Sequence, residues 1–360
     1  MRTKYLLLLA ASFLLLFGAP QIGTAQSGAS KDSAPKTTGY AVKKPVFGGA
    51  CPTCPWGAMA GVVKAALKPY GWDVQICYYC AGGPRESRLV SRAAMATPPP
   101  NPSPDDLPTP KGPIDFGVTG AEFLEWIYMG TNDFAKDPGT PQKQLRMIAN
   151  IGEATFLVVG VKSDLGITDL RDIAEKRIPI KLVAASYTGG AIVPAVLDYY
   201  GITEEKVKSY GGSFAGRLDP GVEGNVFIGF AGVATGPREF SMLNEAAQKY
   251  DLKYFEIAPD LKAKLVKQFN LEERDMPIGL FRGVNKPVPT VTRMGTVIYG
   301  RTDMPDDFAY TLAKALDEHQ DLLAWTHMNW SYNSHTVWKA FDVPLHPGAA
   351  RYYKEVGYMK

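Results

Sequence analysis

The stretch VFGGACPTCPWGAMAG at residues 46–61 constrains this chain most. A short β-forming run ends in two glycines, and a turn bearing Cys51, Pro52, Thr53 and Cys54 follows. A helical pattern then takes over at 56–69. Met59, Val62, Val63, Ala66 and Leu67 recur at three- and four-residue spacing, and Pro69 and Gly71 stop the run. Residues 72–79 are rich in β-formers, 80–84 (CAGGP) form a turn, and 86–96 read as a helix. Strand–turn–helix followed at once by strand–turn–helix opens a doubly wound α/β sheet.

The rest of the chain extends the alternation. Strands are expected at 114–120 (IDFGVTG), 155–161, 178–185, 206–212, 226–231, 253–257 and 291–299. Helices are expected at 122–130, 168–176, 192–200, 236–249 and 261–269, with a long one at 306–325 capped by Asp306. The continuous apolar run TFLVVGV at 155–161 requires a strand buried on both faces. Residues 97–113 hold eight prolines and read as an exposed, partly polyproline insertion.

The start of the chain sets a compartment. Arg2 and Lys4 precede an apolar run at 6–17, and Gly23-Thr24-Ala25 offers a small-residue cleavage site. These are the three regions of a secretory signal peptide, and the run is shorter than the ~20 residues a membrane span needs. The expected mature protein is periplasmic, with no membrane insertion after cleavage. Its formal charge of +3 falls to +1 without Arg2 and Lys4, which gives no reason to expect a nucleic-acid partner. The expected division is a signal peptide at 1–25, a flexible leader at 26–44, a first lobe of 45–160 plus 290–360 carrying the 97–113 insertion, and a second lobe of 161–289.

Ligands of open parallel sheets lie outside the carboxyl ends of the strands. Four glycine-bearing turns stand at such ends: 48–57, 80–85, 119–120 and 186–190. Glycine lets backbone N–H groups approach a ligand, and the helices that follow favour an anion at their N-termini. Candidate contacts are Gly49, Cys51, Thr53, Trp56, Gly82, Gly83, Arg85, Thr119, Gly120, Ser186, Tyr187, Thr188, Gly189, Gly190 and Phe230. Arg85 would grip a carboxylate with two N–H groups, and Trp56 and Tyr187 would wall the pocket.

Cys51, Cys54, Cys77 and Cys80 leave three arrangements open: disulfides within or across the two C-x-x-C motifs, a four-thiolate metal site, or a redox-active CPTC at a helix start. His319, His327 and His335 recur every eight residues and would fan out around a helix rather than converge on a metal. No G-x-S-x-G, phosphate-binding loop or His-Glu metal helix appears, so no catalytic residue and no cofactor are expected.

The tail VPLHPGAARYYKEVG at 343–357 resembles the C-terminal signature of the TAXI-type solute receptors of tripartite (TRAP) transporters. Residues 112–117 (GPIDFG), 163–170 (SDLGITDL), 186–190 and 303–315 are similar to further segments of that family in the same order. The resemblance implies a type II-like periplasmic binding protein. It would have two α/β lobes, each a mostly parallel sheet flanked by helices, and a ligand cleft between them. It further implies closure on a small organic anion or amino acid and delivery to a TRAP-type membrane permease. An importer of the ABC type is an alternative partner.

Overall fold

The structure is a computed structural model that describes residues 39–50, 55–81, 83–98, 100–101, 107–152, 154–184, 190–216, 222–232, 241–293, 295–324, 326 and 331–360. The expected signal peptide and most of the expected leader lie outside these. The chain first lays down β1 (Val46–Gly49), α1 (Pro55–Leu67), β2 (Gln75–Ala81), α2 (Gly83–Ser91), β3 (Phe116–Gly120), α3 (Ala121–Met129) and β4 (Leu145–Asn150). It then crosses to a second sheet. This contains β5 (Thr155–Lys162), α4 (Arg171–Glu175), β6 (Lys181–Ala184), α5 (Ile192–Tyr200), α6 (Glu204–Ser209), β7 (Ser213–Ala215) and β8 (Val226–Gly232). It continues with α7 (Ser241–Lys249), β9 (Leu252–Tyr254), α8 (Pro259–Phe269), β10 (Glu272–Met276) and β11 (Val288–Arg293). The chain returns through β12 (Thr296–Arg301), α9 (Asp306–Glu318), α10 (Asp321–Ala324) and α11 (Pro347–Glu355).

The result is two mixed sheets flanked by helices. The first has the order β2-β1-β3-β12-β4, and the second β10-β11-β5-β8-β6-β7 with β9 beside β5. The parallel portions are β2-β1-β3 and β8-β6-β7. The strands arriving from the other sheet run the opposite way: β12 is antiparallel to β3 and β4, and β5 to β8, β9 and β11. As the apolar run requires, β5 is buried from Thr155 to Val161. The expected lobe boundary at 160/161 falls inside this strand, all of which belongs to the second sheet.

Three further expectations change. Residues 206–212 are not a strand; α6 occupies 204–209, with Glu204 and Glu205 in its first turn and a Glu204–Lys208 ion pair at 2.6 Å one turn apart. The run at 291–299 is two strands in two sheets, broken at Gly295, whose φ of +86° suits glycine. Pro305, not Asp306, is the N-cap of α9, and Asp306 and Asp307 fill its first turn. The leader is also ordered from 39: Lys44 N–H donates to the Gly39 carbonyl (2.7 Å), and the buried Tyr40 donates to the Asp115 carbonyl (3.3 Å).

The tail signature is a docking device. The His346 backbone N–H donates to the Met147 carbonyl at 2.8 Å. Its Nδ1 accepts from Gly348 N–H (3.3 Å) and caps α11, while Nε2 faces the Met304 carbonyl at 3.1 Å. A Cβ at 348 would overlap the Asp306 carbonyl, so glycine lets α11 close on the start of α9. Burial lowers the His346 pKa, in keeping with a neutral ring that caps rather than binds.

Candidate functional site

The two sheets are joined by two strand-to-strand crossings that lie side by side. One runs from β4 to β5, the other from β11 to β12, and Ile151 N–H donates to the Thr296 carbonyl between them (2.8 Å). A Cβ at Gly152 would overlap Thr296 N. The start of α3 rests on the same place, since Ala121 N–H donates to the Gly295 carbonyl (3.3 Å).

Sequence reasoning missed the two side chains that meet there. Glu122, in the first turn of α3, places Oε1 2.7 Å from Nη1 of Arg293, the last residue of β11. Arg293 also donates through Nε to Thr155 Oγ1 (2.9 Å), and its guanidinium lies 4.5 Å from the centre of the Phe230 ring. Glu122 is 4% exposed and Arg293 12%. The available signals were an arginine ending the β-forming run 288–293 and an acid two residues after Gly120.

These two residues gather part of the expected set. Gly120 lies under the Glu122 carboxylate: a Cβ there would stand 2.7 Å from Oε1 and 2.8 Å from Oε2. Phe230 is the apolar bed of Arg293. Gly190 comes from the second sheet, where a Cβ would lie 2.8 Å from Phe123 and 3.3 Å from Trp126 of α3. The adjacent Ala191 N–H donates to Asp133 Oδ2 (3.1 Å), Trp126 packs on Phe269 at 5.6 Å, and Asn270 Nδ2 donates to Glu125 (3.0 Å). Burial raises the Glu125 pKa, with the Asn270 amide opposing the shift.

Other expected residues have partners elsewhere in the fold. Thr119 is buried, and its hydroxyl shares a 3.1 Å hydrogen bond with Ser87 of α2. Beside Ser87, Glu86 is fully buried and its Oε1 accepts from Tyr299 (2.8 Å). Burial pushes its pKa well above the carboxylate range, against the hydrogen bonds from Tyr299, Thr119 and Ser87. Gly49 has φ +98°, and a Cβ there would stand 2.6 Å from the Val118 carbonyl, so its glycine serves strand packing. Gly83 is buried at the start of α2 with φ +70°, while Arg85 is exposed on that helix and Trp56 is half-buried against the core beneath α1. Cys51, Thr53, Cys54, Gly82, Ser186, Tyr187, Thr188 and Gly189 lie outside the described residues.

For one cysteine motif the pairing is internal. Cys77 and Cys80 form a disulfide with both residues buried. The β1–β2 register explains how residues three apart in a strand can meet. Ile76 stands opposite Phe47 and Ala81 opposite Gly49, so three extra residues of β2 are extruded. The bond closes this bulge with Cα atoms 5.5 Å apart, against ~10 Å for an extended strand. Pairing across the motifs is excluded for these two cysteines. Bonded to each other, they cannot serve a four-thiolate metal site.

A cavity of about 380 Å³ lies elsewhere in the second sheet's half, lined by Arg171, Tyr200, Tyr254, Lys286 and Pro289 among others. None of the residues expected from the sequence lines it. No helix among the described residues is long and apolar enough to cross a membrane.

The NMT1-like family profile matches residues 109–357, more than two thirds of the chain. The chain belongs to the NMT1-like family. Solved structures of similar course include a TctC solute-binding protein from Polaromonas, at 10% identity and TM-score 0.42 over 88% of this chain and 98% of that one. Another is MatC from Rhodopseudomonas palustris with bound malate, at 11% identity and TM-score 0.38 over 79% and 88%. A third is a glycine betaine/L-proline-binding protein from Borrelia burgdorferi, at 11% identity and TM-score 0.37 over 81% and 97%.

Proposed function

We propose that this NMT1-like protein is a periplasmic solute receptor of the TAXI type. It captures a small ligand between its two sheets and delivers it to a TRAP-type permease. The observation that carries the reading is the pair of adjacent crossings with the Glu122–Arg293 pair beside them. Two short connections side by side let two halves rotate as units with little backbone change. A charged pair joining α3 to the end of β11 sits where such rotation opens or closes. The lobes are then 45–150 with 295–360, and 155–293. Each closed-state contact that a solute completes shifts the equilibrium toward closure. The order of motifs through the tail favours TRAP over ABC delivery. An oxidoreductase using Cys77 and Cys80 is disfavoured, because both are buried and an exchange reaction needs access to sulfur, while Cys51 and Cys54 of the CPTC alternative lie outside the described residues.

The test is a native mass spectrum of the protein isolated from periplasm without chelator, beside its denatured mass. The expected result is a small organic molecule lost on denaturation and a polypeptide mass four hydrogens light. A full-thiol mass with a metal adduct would overturn the reading.

A further inference from the structure

We infer that the solute held between the sheets presents an ammonium group to Glu122, so that the site selects for an amine rather than for carboxylates alone. The inference rests on the receptor reading and names the chemistry of its ligand. Glu122 is withdrawn from water, and while Oε1 holds Arg293, Oε2 has no hydrogen-bond partner among the described residues. A buried carboxylate oxygen without a donor is costly, and a charged N–H donor is the strongest relief. The neighbouring backbone donor is already engaged, with Ala121 N–H on the Gly295 carbonyl. A second buried acceptor without a partner, Asn150 Oδ1, borders the same crossing, where a Cβ on Gly295 would touch its amide. Both unmet needs are for donors.

Three of the seats an anionic ligand could take are filled by the protein. In a strand–turn–helix fold an anion settles at the helix N-terminus. Here α3 has Glu122 in its first turn, α5 receives Asp133 at Ala191 N–H, and α2 buries Glu86 in its first turn. A ligand carboxylate brought to Gly120 would face the Glu122 carboxylate in a site of low dielectric, where like charges repel strongly. An ammonium group offers three donors in a small volume to the same oxygen.

The test uses the full chain isolated from producing cells. Molecules released on denaturation are identified by mass, and thermal melts are recorded with L-alanine, putrescine, succinate and citrate. We expect the released or stabilising compound to carry a primary or secondary amine. Glu122→Gln, which keeps an acceptor for Arg293, is expected to weaken its binding about tenfold or more. Glu122→Asp keeps the charge but withdraws the oxygen, and is read in the same way should the glutamine variant fail to fold. A released or stabilising solute without an amine overturns the inference and leaves the receptor standing. An amine bound equally by wild type and both variants also overturns it. No released solute and no stabilisation by any of the four overturns the receptor reading itself.

Discussion

Glu86 and Glu122 each stand in the first turn of a helix that follows a strand of the first sheet, and both are withdrawn from water, yet their surroundings treat them oppositely. Glu86 is met by neutral hydroxyl groups from Tyr299 and Ser87, and no cation is bonded to it. Burial then wins, and the carboxyl pKa is pushed well above its ordinary value. Glu122 is met by the Arg293 guanidinium on one oxygen and by nothing on the other. The first is a structural acid that ties α2 to β12. The second is a charged group with unused capacity beside the two crossings. Burial alone does not separate the two; the unmet oxygen beside the crossings does.

The comparison can be broken in steps of decreasing size. Arg293→Ala leaves the Glu122 carboxylate buried without its cation and is expected to cost about 3–5 kcal/mol in urea unfolding. A cost below ~1 kcal/mol would mean that the pair is solvated and the contrast false. Tyr299→Phe removes the donor from Glu86 and should cost about 1–2 kcal/mol in the same experiment. Glu86→Gln replaces a buried acid of raised pKa by a neutral isostere that still accepts from Tyr299, and its stability at neutral pH should lie within about 1 kcal/mol of wild type.

A pH titration of stability sharpens the same point. Burial raises the Asp115 pKa from 3.8 to about 6, against the Val46 N–H that donates to Oδ2. Between those values the folded protein keeps a proton that the unfolded chain has released. Stability is therefore greatest below the unfolded value and falls as pH rises through about 6. Glu86, shifted in the same direction, adds to the fall. Asp115→Asn should flatten the slope between roughly pH 4 and 6, and Glu86→Gln should remove a further part of the fall. Unchanged slopes in both variants would show that neither acid carries a raised pKa.

How much the sequence disclosed depended on the kind of signal. The apolar run of β5 and the alternation of strands with helices gave the α/β class, because burial on two faces leaves little choice of residue. The strand expected at 206–212 fails because Val207 among lysines mimics alternation, although Thr203 followed by two glutamates marks a helix start. The change of sheet at Gly295 was hidden inside one β-forming run, since local pattern does not say which sheet a strand joins. At the site, glycines located the turns but not their occupants. Gly120 and Gly190 proved to be places where Glu122, Phe123 and Trp126 close in. Cysteine spacing was equally silent on the bulge at 77–80, which exists only in the register between β1 and β2.

The most direct measurement compares solute occupancy by native mass spectrometry in wild type, Glu86→Gln and Glu122→Gln isolated in parallel. The account predicts that Glu86→Gln carries its solute as wild type does, while Glu122→Gln is largely empty. Full occupancy of Glu122→Gln, or loss of solute from Glu86→Gln alone, would contradict it.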